Sequence, residues 1–234
     1  YPVSDSPSRP AHAPGAAPAA GGHSHAPSAR QFVRFSLFQL DPAWLQLPED
    51  RQQSDKREFF QAVQGFSRRL LLRPFSTVGT RGDCDILLWQ IAYDVEVFQA
   101  FATTMRQTRL GRYLKQTYSY LAQTKRSIYE IPGEEDGDLE RLIIDPGDRK
   151  YLFIYPFLKT RAWYALPLPE RQEMINEHIR IGRQYPSIRL NTTYSFGLDD
   201  QEFVVAFESD SAGDFLDLVM ALRESKASSY TLRD

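Results

Sequence analysis

The sequence predicts an α+β fold built from two similar halves, and three observations support this prediction. The order strand, helix, strand, strand, helix occurs in residues 31–106 and again in residues 151–234. When the halves are aligned at one constant offset, matching apolar positions coincide, as Phe98 does with Phe215. Hydrophobic residues make up 42% of the 234 residues, enough to bury a sizeable core. Because a β-α-β-β-α unit is ferredoxin-like in type, we expect two such repeats that form a β-barrel with outer helices.

The first 30 residues predict a disordered tail. They are rich in Pro, Ala, Gly, Ser and His and contain almost no large apolar side chain. Such a segment cannot bury enough surface to offset its ordering entropy. Three of the four histidines, His12, His23 and His25, lie in this tail. They form either a weak metal-binding tract or part of a solvated linker, and the linker is the simpler interpretation.

The first repeat, residues 31–106, contains three predicted strands and two predicted helices. The strands are Gln31–Leu40, Arg73–Val78 and Asp85–Tyr93, and the helices are Ser54–Leu72 and Val95–Arg106. Asp55 lies near the predicted start of the first helix, and Asp94 stands in the N-cap position of the second. The second helix has the spacing of a buried apolar face, formed by Val97, Phe98, Phe101 and Met105.

The second repeat, residues 151–234, follows a connecting segment, residues 107–150. Its predicted strands are Tyr151–Leu158, Ile188–Phe196 and Glu202–Glu208, and its helices are Pro169–Arg183 and Ser211–Arg223. Asp199 and Asp200 resemble a metal-binding pair. A turn whose acidic side chains bond their own backbone is the better interpretation, because the first repeat has Asp83 in the matching place.

Composition excludes several functional classes. The net charge of −2 gives no electrostatic basis for binding nucleic acid or an anionic membrane. No apolar run approaches the roughly 20 residues of a membrane-spanning helix. A single cysteine, Cys84, allows neither an intrachain disulfide nor a cysteine-based zinc site and mildly favours the cytoplasm. An exported form is not excluded, because the sequence begins at Tyr1 rather than at a methionine.

His178 is the only histidine outside the tail. It shares one helix face with Met174, Ile175 and Ile181. On that face it is either a metal ligand or a core histidine satisfied by hydrogen bonds. A lone histidine does not suit zinc, which needs three or four ligands, whereas haem iron needs one protein ligand. The first repeat has Gln61 at the matching position, so folding does not require a histidine there and we expect one site per chain.

Four further residues are candidates for binding or catalysis. Strand alternation places Tyr155 and Lys159 on one face of the first strand of the second repeat, with Pro156 indicating an edge or a distortion. Lys159 either holds a carboxylate or reaches solvent at the strand end. Tyr129 and Arg141 lie in the connecting segment, and Arg141 falls in an acidic stretch where a surface ion pair is the simplest interpretation.

Several motifs, taken together with their order and spacing, resemble the chlorite dismutase superfamily and within it the coproheme decarboxylases. The similarity extends from about Gln31 to Asp234. Its most specific parts are Tyr155-Pro-Phe-Leu-Lys159, Trp163-Tyr164, Glu177-His178-x-x-Ile-Gly-Arg183 and Phe196-Gly-Leu-Asp-Asp200. The resemblance implies paired ferredoxin-like repeats that form a barrel, usually assembled as a homopentamer.

The resemblance also implies roles for individual residues. His178 matches the proximal iron ligand of haem b or iron coproporphyrin III. Tyr155 matches a tyrosine that becomes a radical, and Lys159 matches the lysine beside the reacting propionate. Tyr129 and Arg141 match propionate contacts. The implied reaction is hydrogen-peroxide-dependent oxidative decarboxylation of iron coproporphyrin III to haem b.

Two alternatives remain open at this point. One is a chlorite dismutase or a peroxidase-like haem enzyme, and the other is a non-enzymatic haem-binding or structural subunit. True chlorite dismutases carry an arginine where this chain has Leu190, and they lack a tyrosine at the place of Tyr155. The neighbouring Arg189 is expected to point to the other face of its strand. These differences disfavour chlorite cleavage.

Overall fold

The computed structural model describes residues 30–130 and 142–234 and confirms the α+β fold. Residues 1–29 of the predicted tail, with their three histidines, and Arg141 lie outside the described residues. All pairs of neighbouring strands are antiparallel. In the part of the chain that is described, no helix is both long and apolar enough to cross a lipid bilayer.

The first half matches the predicted element order, with one added short helix where the sequence predicted a loop. Its elements are β1 (Phe32–Leu40), α1 (Pro42–Leu45), α2 (Glu49–Gln64), β2 (Leu71–Ser76), β3 (Ile86–Ala92) and α3 (Val95–Gln107). The predicted apolar face of α3 is buried. Asp94 is the N-cap residue of α3, although its side chain does not make the capping hydrogen bond.

The second half repeats this order, including the short helix, and adds a short strand at its end. Its elements are β5 (Tyr151–Lys159), α4 (Arg161–Ala165), α5 (Leu168–Gly182), β6 (Arg189–Tyr194), β7 (Phe203–Ser209), α6 (Ala212–Arg223) and β8 (Thr231–Arg233). Gly79 and Gly197 occupy equivalent turns, before β3 and before β7. Both have positive φ, 78° and 72°, which a glycine adopts without steric cost.

The connecting segment contains a strand that the sequence pattern did not predict. β4 (Leu114–Gln123) pairs with β1 over its whole length and reaches β6 at the single pair Gln123 and Tyr194. The strand order is therefore β2-β3-β1-β4-β6-β7-β5-β8. Hydrogen bonds between described strands do not close this sheet into a barrel. One face nevertheless buries residues of both halves in a single core, including Phe35, Trp89, Val204 and Ala206.

The bounds of α2 differ from the prediction, and the difference changes the role of Asp55. The helix begins at Glu49, after Pro48, and not at Ser54. Asp55 is therefore a fully buried residue within the helix. Its carboxylate accepts hydrogen bonds from Trp44 Nε1 (3.3 Å) and Arg51 Nε (3.1 Å) and pairs with Arg109 Nε at 3.0 Å. These donors compensate the cost of burying the charge.

The structure also corrects the repeat partner of His178. α2 and α5 each follow a proline N-cap with nearly the same backbone angles. Counted from the first residue of each helix, His178 corresponds to Phe59 and not to Gln61. Phe59 packs against the apolar core of the first half. One half therefore has a phenylalanine where the other has an imidazole.

Candidate functional site

The second half leaves the space between β5 and α5, hereafter the cleft, incompletely packed. Every residue of β5 is partly exposed, and α5 has no buried residue. The equivalent layer of the first half is filled by nine buried core residues, among them Phe98 and Phe101. Among the described residues, the corresponding apolar cluster of the second half has three buried members, Val205, Phe207 and Leu218. The same architecture thus leaves unfilled apolar surface in one half.

His178 lies on α5 as a neutral imidazole. Its Nδ1 is 3.5 Å from Ser225 Oγ, and that hydroxyl donates its hydrogen to Leu222 O at 2.7 Å. Toward His178 the Ser225 oxygen can therefore only accept, which favours a proton on Nδ1 and a lone pair on Nε2. Burial, assisted by the Lys159 cation, lowers the pKa of His178 to about 4. At neutral pH one ring nitrogen is available as a ligand.

Lys159 is anchored and does not extend freely into solvent. Its Nζ donates to Ala227 O (2.6 Å) and Thr231 Oγ1 (3.2 Å) and lies 4.9 Å from the centroid of the Trp163 ring. Burial lowers the pKa of Lys159 to about 8, while the carboxylates of Asp234 and Glu202 raise it. The ammonium group is therefore still mostly charged at pH 7.

Tyr155 lies on the face of β5 that packs against the apolar cluster of the second half. Its ring stacks on Phe207 with a centroid distance of 5.8 Å. Burial raises the pKa of Tyr155 to about 12, helped by the carboxylate of Asp234 and opposed by Arg223. The phenol is therefore protonated at neutral pH. Pro156 is tolerated because β5 pairs with β7 on one side and meets β8 on the other only at its end, as the edge prediction required.

Tyr129 contacts Trp163, the almost completely buried tryptophan that Lys159 also contacts. The Tyr129 and Trp163 ring centroids are 6.4 Å apart, and Tyr230 contacts the same indole at 5.6 Å. Tyr129 and Lys159 thus meet around one tryptophan. The predicted role of Arg141 stays a prediction, because this residue lies outside the described part of the chain.

Sequence reasoning missed the segment that holds His178 and Lys159 in place. Ser225 contacts His178, a short 3₁₀ helix (Lys226–Tyr230) follows, and Thr231 contacts Lys159. Glu177 Oε2 accepts a hydrogen bond from Lys226 N at 3.0 Å and so ties the segment to α5. Because the short polar residues of this segment show no periodicity, the sequence did not indicate that the segment supports His178 and Lys159.

Glu202 is a second residue that the sequence did not single out. Its Oε2 accepts hydrogen bonds from Lys159 N (2.9 Å) and from the Tyr164 hydroxyl (2.6 Å). In the first half, Asp85 Oδ2 accepts from Leu40 N at 2.8 Å, at the end of the equivalent strand. The internal repeat contained a signal for this role, because Asp85 and Glu202 occupy aligned positions in the two halves. Glu202 thus fixes the end of β5 that presents Lys159.

The residues of β6 face opposite sides, as strand alternation predicted. Leu190 pairs with Phe207, which places it on the Tyr155 side of the sheet, and its side chain is 49% exposed. Arg189 pairs with Glu208 on the other side, where Glu208 accepts a hydrogen bond from Gly147 N. No arginine of β6 therefore reaches the cleft.

The remaining acidic candidates have structural explanations. Asp199 Oδ2 accepts from Leu121 N at 3.0 Å, and Asp199 Oδ1 accepts from Asp200 N, which supports the turn interpretation. Within residues 30–130 and 142–234, no three His, Cys, Asp or Glu side chains cluster as a metal-ion site would require. A surface depression lined by Glu173, Glu177 and Arg180 lies on the helix face opposite to His178.

Comparison with known proteins gives consistent results. Residues 51–234 match the family model described as chlorite dismutase. A coproheme decarboxylase from Mycolicibacterium smegmatis is 31% identical over 206 residues, which cover 86% of this chain and 85% of the relative. A chlorite dismutase from Candidatus Nitrospira defluvii, solved in complex with imidazole, is 26% identical with a TM-score of 0.79, covering 87% of this chain and 86% of that one. A haem-binding protein from Thermus thermophilus has a TM-score of 0.77 at 21% identity over 86% of each chain, which supports the fold alone.

Replacing His178 with phenylalanine is expected to change the acid sensitivity of the protein without bound porphyrin. The unfolded chain protonates this histidine below about pH 6.5, whereas the folded protein does so only near pH 4. As pH falls from 6.5 toward 4, the free energy of unfolding of the wild type should therefore decrease by up to about 3 kcal/mol more than that of a variant without a titratable group at this position. Urea unfolding at pH 7.0, 5.5 and 4.5 measures this difference.

His178→Gln is the matched control for this experiment. It also cannot titrate, but it does not supply the apolar ring that Phe59 provides in the first half. We therefore expect both variants to lack the extra decrease in unfolding free energy that His178 causes at low pH. Only His178→Phe should be more stable than wild type at pH 7. Equal pH dependence of the unfolding free energy in all three proteins would show that His178 is not the neutral, partly buried imidazole of this site.

Proposed function

The chain belongs to the chlorite dismutase family, and we propose that it is a haem enzyme of this family that converts iron coproporphyrin III to haem b by peroxide-dependent oxidative decarboxylation. One observation carries the proposal. A neutral imidazole, a protonated phenol and a lysine ammonium group line one partly filled cleft. The similarity to a coproheme decarboxylase over most of the chain supports the same assignment.

The residues of the cleft fit a porphyrin. The face of β5 and β7 presents stacked aromatic rings, such as Phe157 on Phe203 at 4.6 Å, beneath a helix with no buried residue. Flat apolar surface of this kind suits a macrocycle, and His178 is the single nitrogen donor that its iron needs. A porphyrin iron held by His178 would supply, together with hydrogen peroxide, the oxidising equivalents.

Tyr155 is the proposed hydrogen carrier. Its raised pKa keeps the phenolic hydrogen in place at neutral pH, so the residue has a hydrogen atom to give. Once it has lost that hydrogen, Tyr155 takes one from the β-carbon of a propionate, carbon dioxide leaves and a vinyl group remains. Each propionate loses two electrons and one proton in this way. Together with one proton from solvent, they reduce one hydrogen peroxide to two waters.

Lys159 is the proposed carboxylate anchor. Its Nζ is charged at pH 7 and is held by two neutral oxygens, those of Ala227 and Thr231. A propionate carboxylate is a stronger partner for an ammonium group than either oxygen. Positioning of this kind matters because small displacements of a reacting group cost rate. By resemblance, Tyr129 and Arg141 complete the contacts to the propionates.

Chlorite cleavage is the second candidate, favoured by the chlorite dismutases among the similar structures. Leu190 argues against it. This side chain lies on the cleft side of the sheet and offers no hydrogen-bond donor, while Arg189 faces away. Sustained oxygen release from added chlorite by the haem-loaded protein would favour this alternative over decarboxylation.

Assembly and compartment are proposals that rest on family membership and composition. We propose a homo-oligomer, expected to be a pentamer, that acts in the cytoplasm. The free thiol of Cys84 is buried and agrees with a reducing compartment without requiring one.

Coproheme and hydrogen peroxide test the proposed reaction directly. Wild-type protein is expected to release carbon dioxide and form haem b, detected by mass spectrometry. Tyr155→Phe keeps the ring that stacks on Phe207 but lacks the phenolic hydrogen, so we expect it to bind coproheme normally and to react at least about 100-fold more slowly. Conversion at the same rate by both proteins would eliminate the Tyr155 mechanism.

Coproheme affinity is expected to depend on the charge of Lys159. Because the pKa of this lysine is lowered to about 8, its charge is lost as pH rises through that value. The dissociation constant of wild type should therefore increase above pH 8, by at most about tenfold per pH unit. Lys159→Met should bind more weakly at pH 7 and show no such increase. Lys150→Met, which removes an exposed lysine beside β5, is the control. The Lys159 assignment fails if Lys159→Met retains the wild-type pH dependence.

A further inference from the structure

The cations that lie near Tyr155 are already engaged by residues 225–234, hereafter the 225–234 segment. Arg223 Nη1 contacts both carboxylate oxygens of Asp234, at 2.7 and 2.9 Å. Lys159 Nζ donates to Ala227 O and Thr231 Oγ1 of the same segment. To pair with these cations, the carboxylate of a ligand bound beside Tyr155 would therefore have to displace partners that the protein itself supplies.

The position of β8 brings Asp234 to this place. β8 pairs antiparallel with the end of β5, with Thr231 opposite Lys159, Arg233 opposite Leu158 and a register shift between these two pairs. Asp234 directly follows Arg233, the last residue of β8. The charge of Asp234 is felt at both functional groups, where it raises the pKa of Tyr155 and of Lys159.

The Arg223–Asp234 pair is shielded from solvent on its carboxylate side only. The side chains of Asp234 and Arg223 are 22% and 53% exposed, whereas those of Asp210 and Arg149, which pair at 2.6 Å outside the cleft, are 56% and 48% exposed. The carboxylate of Asp234 is therefore less screened by solvent than that of Asp210, while both arginines are about half exposed. Asp210 therefore provides a matched control for Asp234.

We propose that Asp234 is an internal carboxylate that neutralises Arg223 in the absence of substrate and yields this arginine to a propionate carboxylate of the bound porphyrin. The inference rests on the proposed function, because it requires a ligand with carboxylates beside Tyr155. Two carboxylates close together repel each other, so exchange at Arg223 is favoured over joint occupancy.

The exchange has a consequence for the reaction. Before decarboxylation, the porphyrin carboxylate competes with Asp234 for Arg223. After the carboxyl group has left as carbon dioxide, the vinyl group cannot pair with a cation, and Asp234 returns to Arg223. Without Asp234, the half-exposed Arg223 would lack its counter-charge beside the apolar vinyl group. Asp234 therefore weakens the binding of substrate and accommodates product.

Binding titrations of wild type, Asp234→Asn and Asp210→Asn with coproheme and with haem b test the proposal. We expect Asp234→Asn to bind coproheme about three- to tenfold more tightly than wild type and to bind haem b equally or more weakly. Asp210→Asn should resemble wild type with both porphyrins. A second readout needs no porphyrin: the pKa of Tyr155, followed by ultraviolet titration or by NMR of labelled tyrosine, should fall in Asp234→Asn because the neighbouring negative charge is gone.

The outcomes separate this inference from the proposed function. If coproheme binds to wild type and Asp234→Asn with equal affinity, the exchange at Arg223 is wrong while the proposed function stands. Weaker binding of coproheme by Asp234→Asn would also overturn it, because Asp234 would then orient Arg223 for the substrate. If coproheme does not bind to wild type, both the proposed function and the exchange fail.

Discussion

The site depends on one partly buried, uncharged imidazole whose Nδ1 faces the Ser225 hydroxyl. Two physical effects produce it. Burial on α5 removes the imidazolium form at neutral pH, and the hydrogen bond from Ser225 to Leu222 leaves that serine only its acceptor role toward Nδ1. The result is a ligand nitrogen with a defined tautomer, which is how proteins commonly orient histidine ligands. The proposed roles of Tyr155 and Lys159 have meaning only if this nitrogen binds a porphyrin iron.

Duplication explains how one chain combines a stable scaffold with an open site. The first half fills the space between helices and sheet with aromatic and aliphatic side chains, including Phe59. The second half keeps the same element order but has His178 in place of Phe59 and fewer buried residues beneath it. Apolar burial is the main source of folding free energy, so the filled half and the shared core on the other face of the sheet stabilise the half that is left open.

Most of the fold followed from local patterns, and the exceptions have identifiable causes. Strand alternation gave the correct faces for Tyr155 and Arg189, and helical spacing gave the buried face of α3. β4 was missed because half of its residues are polar, and its place in the sheet is set by pairing with a distant strand. The start of α2 was misplaced because Pro48, and not an apolar residue, marks it.

The candidate site was less predictable than the fold. The sequence identified His178, Tyr155 and Lys159, but their supporting partners come from residues more than forty positions away that show no periodicity. Ser225, Ala227 and Asp234 are of this kind, and only tertiary structure brings them to the cleft. The internal alignment also assigned Gln61 instead of Phe59 to the His178 position, because the two repeats differ in length between the first helix and the following strands.

The most direct test of this account is a titration of the protein with coproheme, followed by absorbance and resonance Raman spectroscopy, for wild type and His178→Ala. The account predicts one porphyrin per chain and an iron–histidine vibration in the reduced wild type that is absent from His178→Ala. An identical ligand spectrum in both proteins, or no binding by wild type, would contradict it.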